Sequence, residues 1–256
     1  MLNSSCHFGS LDCAVMFAGE VIGMLMECSI EGASGIPMDI SLLFPLFSQW
    51  PAEERQALLS QGRAVAFAAG SEIISIQQTV HEVLFVTHGL MTAYTPGKRA
   101  GRPFCYGYIV PGDIIGLHAL FEPRPFGVAV QVLRDTRGFS LPLDVLVQAL
   151  DAKPQAWRSI AELMTHAVHH LLNFVSMLSE PDGYSRLKRV LEALEQHAQA
   201  HPAAPGLHLT QRELGERIGL SREMVNRMLK ALRTGGYIQL NEEGGIVIAK
   251  PLPERF

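Results

Sequence analysis

Three charged residues near the carboxyl-terminal end of the chain have the chemistry needed to read base pairs. Arg222, Glu223 and Arg227 lie close together within residues 210–238, TQRELGERIGLSREMVNRMLKALRTGGYI. An arginine fork donates to the O6 and N7 acceptors of guanine, and a glutamate accepts from the cytosine amino group. The simpler interpretation is a solvated, charged helix face. The elements that position these residues decide between the two.

The surrounding residues predict two short helices joined by a tight turn. Thr210 and Glu213 form a capping-box pattern at the start of the first helix. Its apolar residues end at Gly219, and Ser221 is placed to cap the second helix. A short turn of this kind gives the angled crossing of a helix–turn–helix.

The second helix is predicted to have an apolar side and a polar side. Its apolar positions are 224, 225, 228, 229 and 232, so the three charged residues fall outside the core. In a helix–turn–helix, residues at the amino-terminal end of the second helix reach base edges. We expect contacts to the DNA backbone from Thr210, Gln211, Ser221, Asn226 and Lys230.

Two further features favour DNA over a merely solvated face. The run YIQLNEEGGIVI predicts a β-hairpin with its turn at 241–245, which would form a wing. From 211 to 236 there are six Arg or Lys and three Glu, a local net charge of +3 in a chain of net charge −4. A basic patch on an acidic chain is typical of selective DNA binding and not of indiscriminate coating.

Residues 63–142 contain short β-type runs separated by glycine-containing turns, a pattern that predicts an antiparallel β-roll. PGD at 111–113 indicates a tight turn, and Gly89 marks a hairpin or a bulge. Short helices are expected around Pro51. The β-type runs are RAVAFAAG, EIISIQQ, EVLFVTHGLMTAYT, FCYGYIVPGDIIG and VAVQVLRDTRGFSLP.

A long dimerisation helix is predicted at 154–180. Apolar residues recur there at spacings of three and four over three heptads, as in a coiled-coil seam. A second stripe at 163, 168, 172 and 175 could pack on the roll. We therefore expect a parallel homodimer; the alternative is a helix packed only against its own roll. The predicted interface is Trp157, Ile160, Met164, Ala167, Leu171, Phe174 and Leu178.

The predicted fold class is α+β: an antiparallel β-roll, a long dimerisation helix and a winged helix–turn–helix. Asp182 can cap the next helix after the break at SEPDGYSR. An amino-terminal extension precedes the roll, and PMDISLLFPLF from Met38 looks like a natural start, so residues 1–37 are an appended or misassigned leader or a genuine extension. The predicted domains are 1–38, 39–153, 154–180 and 181–256.

The opening residues do not predict a membrane or secretory segment. The apolar run at 13–28 is interrupted by Glu20 and is too short for a membrane span. No Lys or Arg precedes Arg55, unlike the charged start of a secretory signal. We expect a cytoplasmic protein with free thiols, because the cysteines at 6, 13, 28 and 105 contain no CxxC pair.

The block LTQRELGERIGLSREMVNRMLKAL strongly resembles the cyclic-AMP receptor protein/fumarate–nitrate regulator (CRP/FNR) family of bacterial transcription regulators. VPGDIIGLHALFE is similar to the family's roll motif and DGYSR to its hinge, so the resemblance covers about residues 39–250. It implies that Arg222, Glu223 and Arg227 read palindromic, TGTGA-like half-sites. By this resemblance alone, the loop 196–208 is a candidate contact with RNA polymerase.

The sensor half departs from the family's cyclic-nucleotide pattern. Leu117 stands where nucleotide binders carry a Glu for the ribose, and Gly127 and Val128 stand where they carry an Arg–Ser pair for the phosphate. Leu171 and Leu172 replace a polar pair on the dimerisation helix. A buried phosphate without its Arg would lose charge-assisted hydrogen bonds. We therefore expect no response to cyclic AMP.

The sequence leaves the effector open. Apolar replacements favour a hydrophobic ligand, or a pocket filled by its own side chains. Haem or an iron–sulfur cluster is the alternative, although the cysteine spacings do not match the iron–sulfur branch of the family. His166, His169 and His170 could also form a pH-responsive or metal-binding cluster. The candidate pocket residues are Phe104, Tyr106, Leu117, His118, Val128 and Leu172, and the candidate haem ligands are His81, His88, Cys105, His118, His169 and His170.

No resident cofactor and no enzymatic activity are predicted. Rolls related to cupins can be metal enzymes, but His118 and Glu122 lack the second histidine of an HxH pair. The chain also has no nucleophile–base arrangement and no phosphate-binding glycine loop.

Overall fold

The computed structural model describes residues 40–97, 103–200, 209–241 and 245–255. Its larger sheet has six strands: β1 (Arg63–Phe67), β2 (Glu72–Ile74), β3 (Glu82–Thr95), β4 (Phe104–Ile109), β5 (Ile114–Ile115) and β6 (Ala129–Pro142). β1, β6, β3 and β4 are neighbours in that order, β2 pairs with β6, and β5 pairs with β3. All of these pairings are antiparallel, so the predicted roll is confirmed. The predicted extension 1–38, with its three cysteines, lies outside the described residues.

Gly89 is a bulge within the long strand β3 and not a hairpin turn. The register of β3 against β6 shifts between His88 and Leu90, and the strand then continues to Thr95. The φ angle of Gly89 is +100°, and a Cβ built there would lie 2.4 Å from Oγ1 of Thr136. Only glycine fits this backbone and this close approach.

A second bulge lies in β4. Ala93 pairs with Gly107 and Tyr94 pairs with Cys105, which leaves Tyr106 as the extra residue on β4. A bulged residue is not paired in the strand ladder. The backbone of Tyr106 is therefore available to other partners.

Helices cover one face of the sheet and bury a cluster of aromatic rings. Phe44, Phe47, Phe85 and Phe139 are at most 1% exposed, and the rings of Phe85 and Phe139 stack with centroids 4.5 Å apart. The short helices predicted around Pro51 are confirmed. The covering elements are α1 (Ile40–Leu43), a 3-10 turn (Pro45–Gln49), α2 (Ala52–Leu59) and α3 (Leu143–Ala152).

The long helix α4 (Pro154–Leu178) is confirmed, but its apolar residues are divided differently from the prediction. Trp157, Ile160 and Met164 pack on the aromatic cluster of the roll, and Ile160 is fully buried there. Phe174 and Leu178 pack with the carboxyl-terminal helices. The prediction that these residues face a partner is wrong for Ile160 and Phe174, because each is already buried within its own chain.

The second predicted stripe is also assigned wrongly, except for Leu163, which packs on the roll. Val168, Leu172 and Val175 are 54%, 58% and 55% exposed, so they do not pack on the roll. With Leu171, which is 50% exposed, they occupy i, i+3, i+4 and i+7 on one helix face. We call Val168, Leu171, Leu172 and Val175 the exposed α4 stripe.

After α4 the chain turns into the helices and hairpin of the carboxyl-terminal unit. The predicted cap is confirmed, since a carboxylate oxygen of Asp182 accepts from the Ser185 amide at 2.8 Å. These elements share a second apolar cluster around Leu187, Leu214 and Leu232, each fully buried. They are α5 (Gly183–Ala200), α6 (Gln211–Ile218), α7 (Arg222–Thr234), β7 (Ile238–Leu240) and β8 (Ile246–Ile248).

Candidate nucleic-acid interface

A complete capping box begins α6. The Thr210 hydroxyl accepts from the Glu213 amide at 3.2 Å, and the Glu213 carboxylate accepts from the Thr210 amide at 2.6 Å. Two amides that lack helical partners are thereby satisfied. The predicted box is confirmed, and it fixes where α6 starts.

The turn between α6 and α7 follows the predicted residues. Gly219 ends α6 in the left-handed region at φ +72°, where glycine carries no Cβ penalty. The Ser221 hydroxyl then accepts from the Met224 amide at 3.2 Å and caps α7. Both helix ends are thus set by local hydrogen bonds, and α7 leaves the turn at a defined angle to α6.

The two sides of α7 separate core from surface. Val225, Met228, Leu229 and Leu232 are buried, as predicted from the apolar spacing. Met224 is 42% exposed, so its assignment to the apolar core is wrong. It lies at the start of the helix, beyond the edge of the packed cluster. The polar side chains of α7 that face solvent include those of Arg222, Glu223, Asn226, Arg227 and Lys230.

The cations on this face are available to an external anion. Within the described residues, no salt bridge involves Arg222, Arg227 or Lys230. Arg212, by contrast, pairs with Glu216 at 2.8 Å one turn along α6. Arg222 also stands at the positive end of the α7 dipole, where a cation is unfavourable for helix stability. The position of Arg222 therefore lowers the stability of α7, and binding of DNA would offset that loss.

The residues predicted to contact the DNA backbone lie at the start of α6 and along α7. Thr210, Asn226 and Lys230 are exposed, and Gln211 and Ser221 are half-buried. The hydroxyls of Thr210 and Ser221 accept from backbone amides. Each hydroxyl keeps its own proton, so it can still donate to a phosphate oxygen.

The predicted wing is confirmed as an antiparallel pair of β7 and β8. Asn241 and Gly245 close it, with the Asn241 amide donating to the Gly245 carbonyl at 2.9 Å. Residues 242–244 of the turn lie outside the described residues. At the base of the wing, the Lys250 ammonium lies 4.2 Å from the centroid of the Tyr237 ring. The wing thus adds a cation beside the last turn of α7.

Residues 185–251 match the model of the Crp-like helix-turn-helix domain. The regulatory protein HlyX of Actinobacillus pleuropneumoniae is 25% identical over 70% of this chain and 72% of its own. A CRP-like cAMP-activated global transcriptional regulator of Mycobacterium tuberculosis is 24% identical over 75% and 86%. The solved structure of FixK2 from Bradyrhizobium japonicum superposes with a TM-score of 0.63 at 20% identity, over 74% and 93%.

Residues 185–251 are a Crp-like helix-turn-helix domain, and the chain is similar to transcription regulators of the CRP/FNR family. Its winged helix–turn–helix is the DNA-binding unit of that family, and its roll has the family's cyclic-nucleotide-binding-like fold. These relatives are regulators and not enzymes. In the described part of this regulator, no helix is long and apolar enough to cross a bilayer.

The residues predicted for an effector pocket differ in burial and in packing partners. Leu117 is 5% exposed in the aromatic cluster of the roll, whereas Leu172 is 58% exposed on α4. Phe104 and Tyr106 stack edge-to-face on β4, where Phe104 also meets Phe174. Within one chain these side chains therefore have different packing partners, and a shared effector pocket stays a prediction.

The last two predicted pocket residues lie in the loop before β6. The His118 ring stacks on the Phe126 ring at 4.5 Å, and Val128 is half-buried. Burial lowers the pKa of His118, opposed by a backbone hydrogen bond with Arg124 and by Glu122. Nε2 of His118 is buried and has no hydrogen-bond partner among the described residues. Burial therefore favours the neutral form of His118.

Among the other candidate metal or haem ligands, Cys105 and His170 both lie beside Gly107. No three His, Cys, Asp or Glu residues within the described ranges form a metal-binding group. Cys105 is 3% exposed, and its thiol lies 3.3 Å from the Thr92 hydroxyl. Burial raises the pKa of this thiol, which keeps it protonated. His81, His88, His166, His169 and His170 lie on β3, before it, or on α4.

One functional candidate was missed by the sequence prediction. Arg217 of α6 was counted only as part of the basic patch, but its guanidinium lies against the roll and not on the exposed face of α7. Nη1 of Arg217 donates to the Tyr106 carbonyl, and its guanidinium carbon is 4.3 Å from the centroid of the Phe174 ring. The only local signal was its position next to the buried Ile218. No local pattern identifies the strand that accepts it.

Proposed function

We propose that a homodimer of this regulator reads palindromic DNA through Arg222, Glu223 and Arg227. The observation that carries the proposal is the exposed face of α7, on which Arg222 and Arg227 have no ion pair within the described residues. Bidentate arginine–guanine contacts give base discrimination, and the surrounding Thr210, Gln211, Ser221, Asn226 and Lys230 contacts would set the register. TGTGA-like half-sites are the expected target.

Selection from a random duplex library tests this proposal directly. The full-length protein is expected to enrich palindromes whose half-sites are centred about one helical turn apart. Binding of the enriched duplex is then measured by fluorescence anisotropy against a scrambled duplex of equal length. Enrichment without any common sequence would contradict base reading and would leave only phosphate binding.

The exposed α4 stripe supports the dimer. Its apolar residues, spaced along one face of a 25-residue helix, need a cover that the described residues of this chain do not provide. A second copy packed in parallel would bury them and bring two α7 helices to two half-sites. Leu172→Glu should convert a dimer to a monomer in analytical ultracentrifugation. Gln148→Glu, exposed on α3 and therefore away from the stripe, is the matched control.

Cyclic AMP is not the proposed effector. A relative is named as cAMP-activated, but here Leu117 stands at the position of the ribose acceptor and is buried in the roll's own apolar cluster. The buried side chain supports a sensor whose space is filled from within, with a hydrophobic ligand as the second candidate. Isothermal titration calorimetry should detect no binding of cyclic AMP at micromolar concentrations. Heat at micromolar or tighter affinity would contradict this.

A sensor without a resident cofactor is part of the same proposal. The purified protein is expected to show neither a haem nor an iron–sulfur absorption band, and metal analysis should give less than stoichiometric iron or zinc. Stoichiometric metal would instead support a redox-sensing or metal-sensing regulator of the same fold. A cytoplasmic location and a contact of the loop 196–208 with RNA polymerase belong to this proposal as well; the side chains of that loop lie outside the described residues.

A further inference from the structure

Positive charge is concentrated at the carboxyl-terminal end of α7 and at the base of the wing. Between 228 and 250, the charged side chains among the described residues are all cationic: Lys230, Arg233 and Lys250. Residues 210–227, by contrast, contain four arginines and three glutamates. The two glutamates of the wing tip lie outside the described residues. We call Lys230, Arg233 and Lys250 the α7 basic end.

The three cations of the α7 basic end lie close together and are available to an external anion. Lys230 and Arg233 are exposed and three residues apart, a spacing that brings side chains together on one side of a helix. The Arg233 carbonyl accepts from the Gly236 amide at 3.0 Å, and the Lys250 ammonium lies 4.0 Å from where a Cβ of Gly236 would stand. Within the described residues, no carboxylate forms an ion pair with any of the three.

Helix stability alone does not account for this cluster. A cation in the last turn of a helix interacts favourably with the helix dipole, which is a sufficient reason for Arg233. Lys250, however, belongs to the segment after β8, and its ammonium lies on the ring of Tyr237, 4.2 Å from the centroid. A lysine already held on a ring loses less side-chain entropy when it binds an anion. Lys250 is therefore preorganised for a contact with an anion.

The length of α7 places these cations beside the DNA backbone and not at base edges. From Arg222 to Arg233 the helix rises by about 16 Å, at ~1.5 Å per residue. The major groove is about 12 Å wide, so a helix that contacts base edges with its first turn brings its last turn to the phosphates. Lys230 lies three residues after Arg227 and seven after Glu223, on the same exposed side of α7. The α7 basic end is thus continuous with the proposed reading face.

We propose that the α7 basic end binds backbone phosphates that flank each half-site, with Arg233 and Lys250 as DNA contacts beyond the bases that α7 reads. The proposal rests on the proposed function, because it requires that this side of α7 meets DNA. A duplex carries one phosphate charge per ~1.7 Å of its axis, and each Lys or Arg that neutralises one releases a counterion. These contacts add affinity for any sequence and fix the register of the base-reading residues. An acidic protein segment has complementary charge, but it would not explain the continuity with the reading face.

The salt dependence of DNA binding tests Arg233 and Lys250 separately. Arg233→Ala and Lys250→Ala should each reduce the slope of log affinity against log salt concentration by about one. Between about 50 and 200 mM salt, the wild type should therefore lose about threefold to fourfold more affinity than either variant. The same difference is expected on the selected duplex and on a scrambled duplex of equal length. Arg137→Ala, which removes an exposed arginine from β6 of the roll, is the matched control and should leave the slope unchanged.

Two further measurements separate a phosphate contact from a structural role. Arg233→Lys and Lys250→Arg keep the charge and should keep the slope, while urea unfolding reports the stability of every variant. Neutral methylphosphonate linkages placed beside the half-sites then locate the contact. They should weaken binding of the wild type by about threefold per contact and should scarcely affect the Arg233→Ala/Lys250→Ala double variant.

An unchanged slope in both alanine variants would overturn the proposal and would leave an acidic protein as the partner of the α7 basic end. Equal sensitivity of the wild type and the double variant to the neutral linkages would also overturn it. The scrambled duplex distinguishes this failure from failure of base reading. A reduced slope on that duplex, with no common sequence in the selection, would contradict base reading and still support the flanking contact.

Discussion

The interior of the roll and the exposed face of α7 use their side chains in opposite ways. In the roll, Phe44, Phe85 and Phe139 fill space and leave little that could recognise a ligand. On α7, Arg222 and Arg227 contribute nothing to the core and have no ion pair within the described residues. The comparison teaches that side chains that contribute nothing to packing indicate function most directly. In this regulator they lie in the DNA-binding domain and not in the roll.

Removing a ring from the roll should produce the largest change in stability and no direct change in DNA recognition. Phe85 is fully buried and stacks on Phe139 at 4.5 Å. Phe85→Ala should lower the free energy of unfolding by about 3–5 kcal/mol, the range for a lost core aromatic. Urea unfolding followed by circular dichroism measures the loss. Phe121→Ala is the control, because Phe121 is 61% exposed and should change stability little. Equal losses in both variants would contradict the core assignment.

Removing a cation from α7 should weaken DNA recognition and leave stability unchanged. Arg227→Ala is expected to weaken binding to the selected duplex by about 1–3 kcal/mol and to relax discrimination at one base pair, with unfolding unchanged. Binding to a panel of single-base variants of the duplex measures this. Lys230→Ala should instead mainly reduce the dependence of affinity on salt, as expected for a phosphate contact. If Arg227→Ala weakens all sequences equally, Arg227 contacts only phosphate.

The buried carboxyl of Asp113, in the turn between β4 and β5, allows burial in the roll to be tested by changing the pH. Burial raises the pKa of Asp113 to about 7, opposed by the Val110 amide, which donates to its carboxylate at 2.8 Å. The folded state then binds a proton more tightly than the unfolded state, so stability falls as pH rises from about 4 to 7. The slope from one proton is at most about 1.4 kcal/mol per pH unit. Asp113→Asn should remove that slope in thermal unfolding measured at several pH values. A slope that persists in the variant would assign it to another group.

The smallest expected effect lies at the cap of α6. Thr210→Ala removes the acceptor of the Glu213 amide and should lower stability by about 1 kcal/mol. Thr165→Ala, on an exposed turn of α4 away from a helix end, is the control with almost no loss. Chemical denaturation of both variants gives the comparison. A cap effect at 165 equal to that at 210 would count against the capping box as the cause.

Much of the DNA-binding half could be predicted because its signals are local. The Thr210–Glu213 box, the Gly219 stop and the Ser221 cap each depend on residues within four positions. Strand β3 could likewise be predicted over its full length, since apolar and β-branched residues mark it continuously. The stripes of α4 were different. Ile160 and Leu172 are both apolar at helical spacing, and only the neighbouring roll decides that the first is buried and the second exposed.

By itself, the sequence indicated the resemblance to the CRP/FNR family, the order of the elements and the residues on the exposed face of α7. Short-range hydrogen bonds and apolar periodicity depend on residues close together in the sequence. They specify where helices end and which helix faces are apolar. Only the tertiary structure decided which α4 residues remain uncovered, which partners the predicted pocket residues pack against, and that Arg217 reaches Tyr106. Those outcomes depend on contacts between residues about a hundred positions apart, whose partners are selected by packing of the whole chain and not by any local pattern.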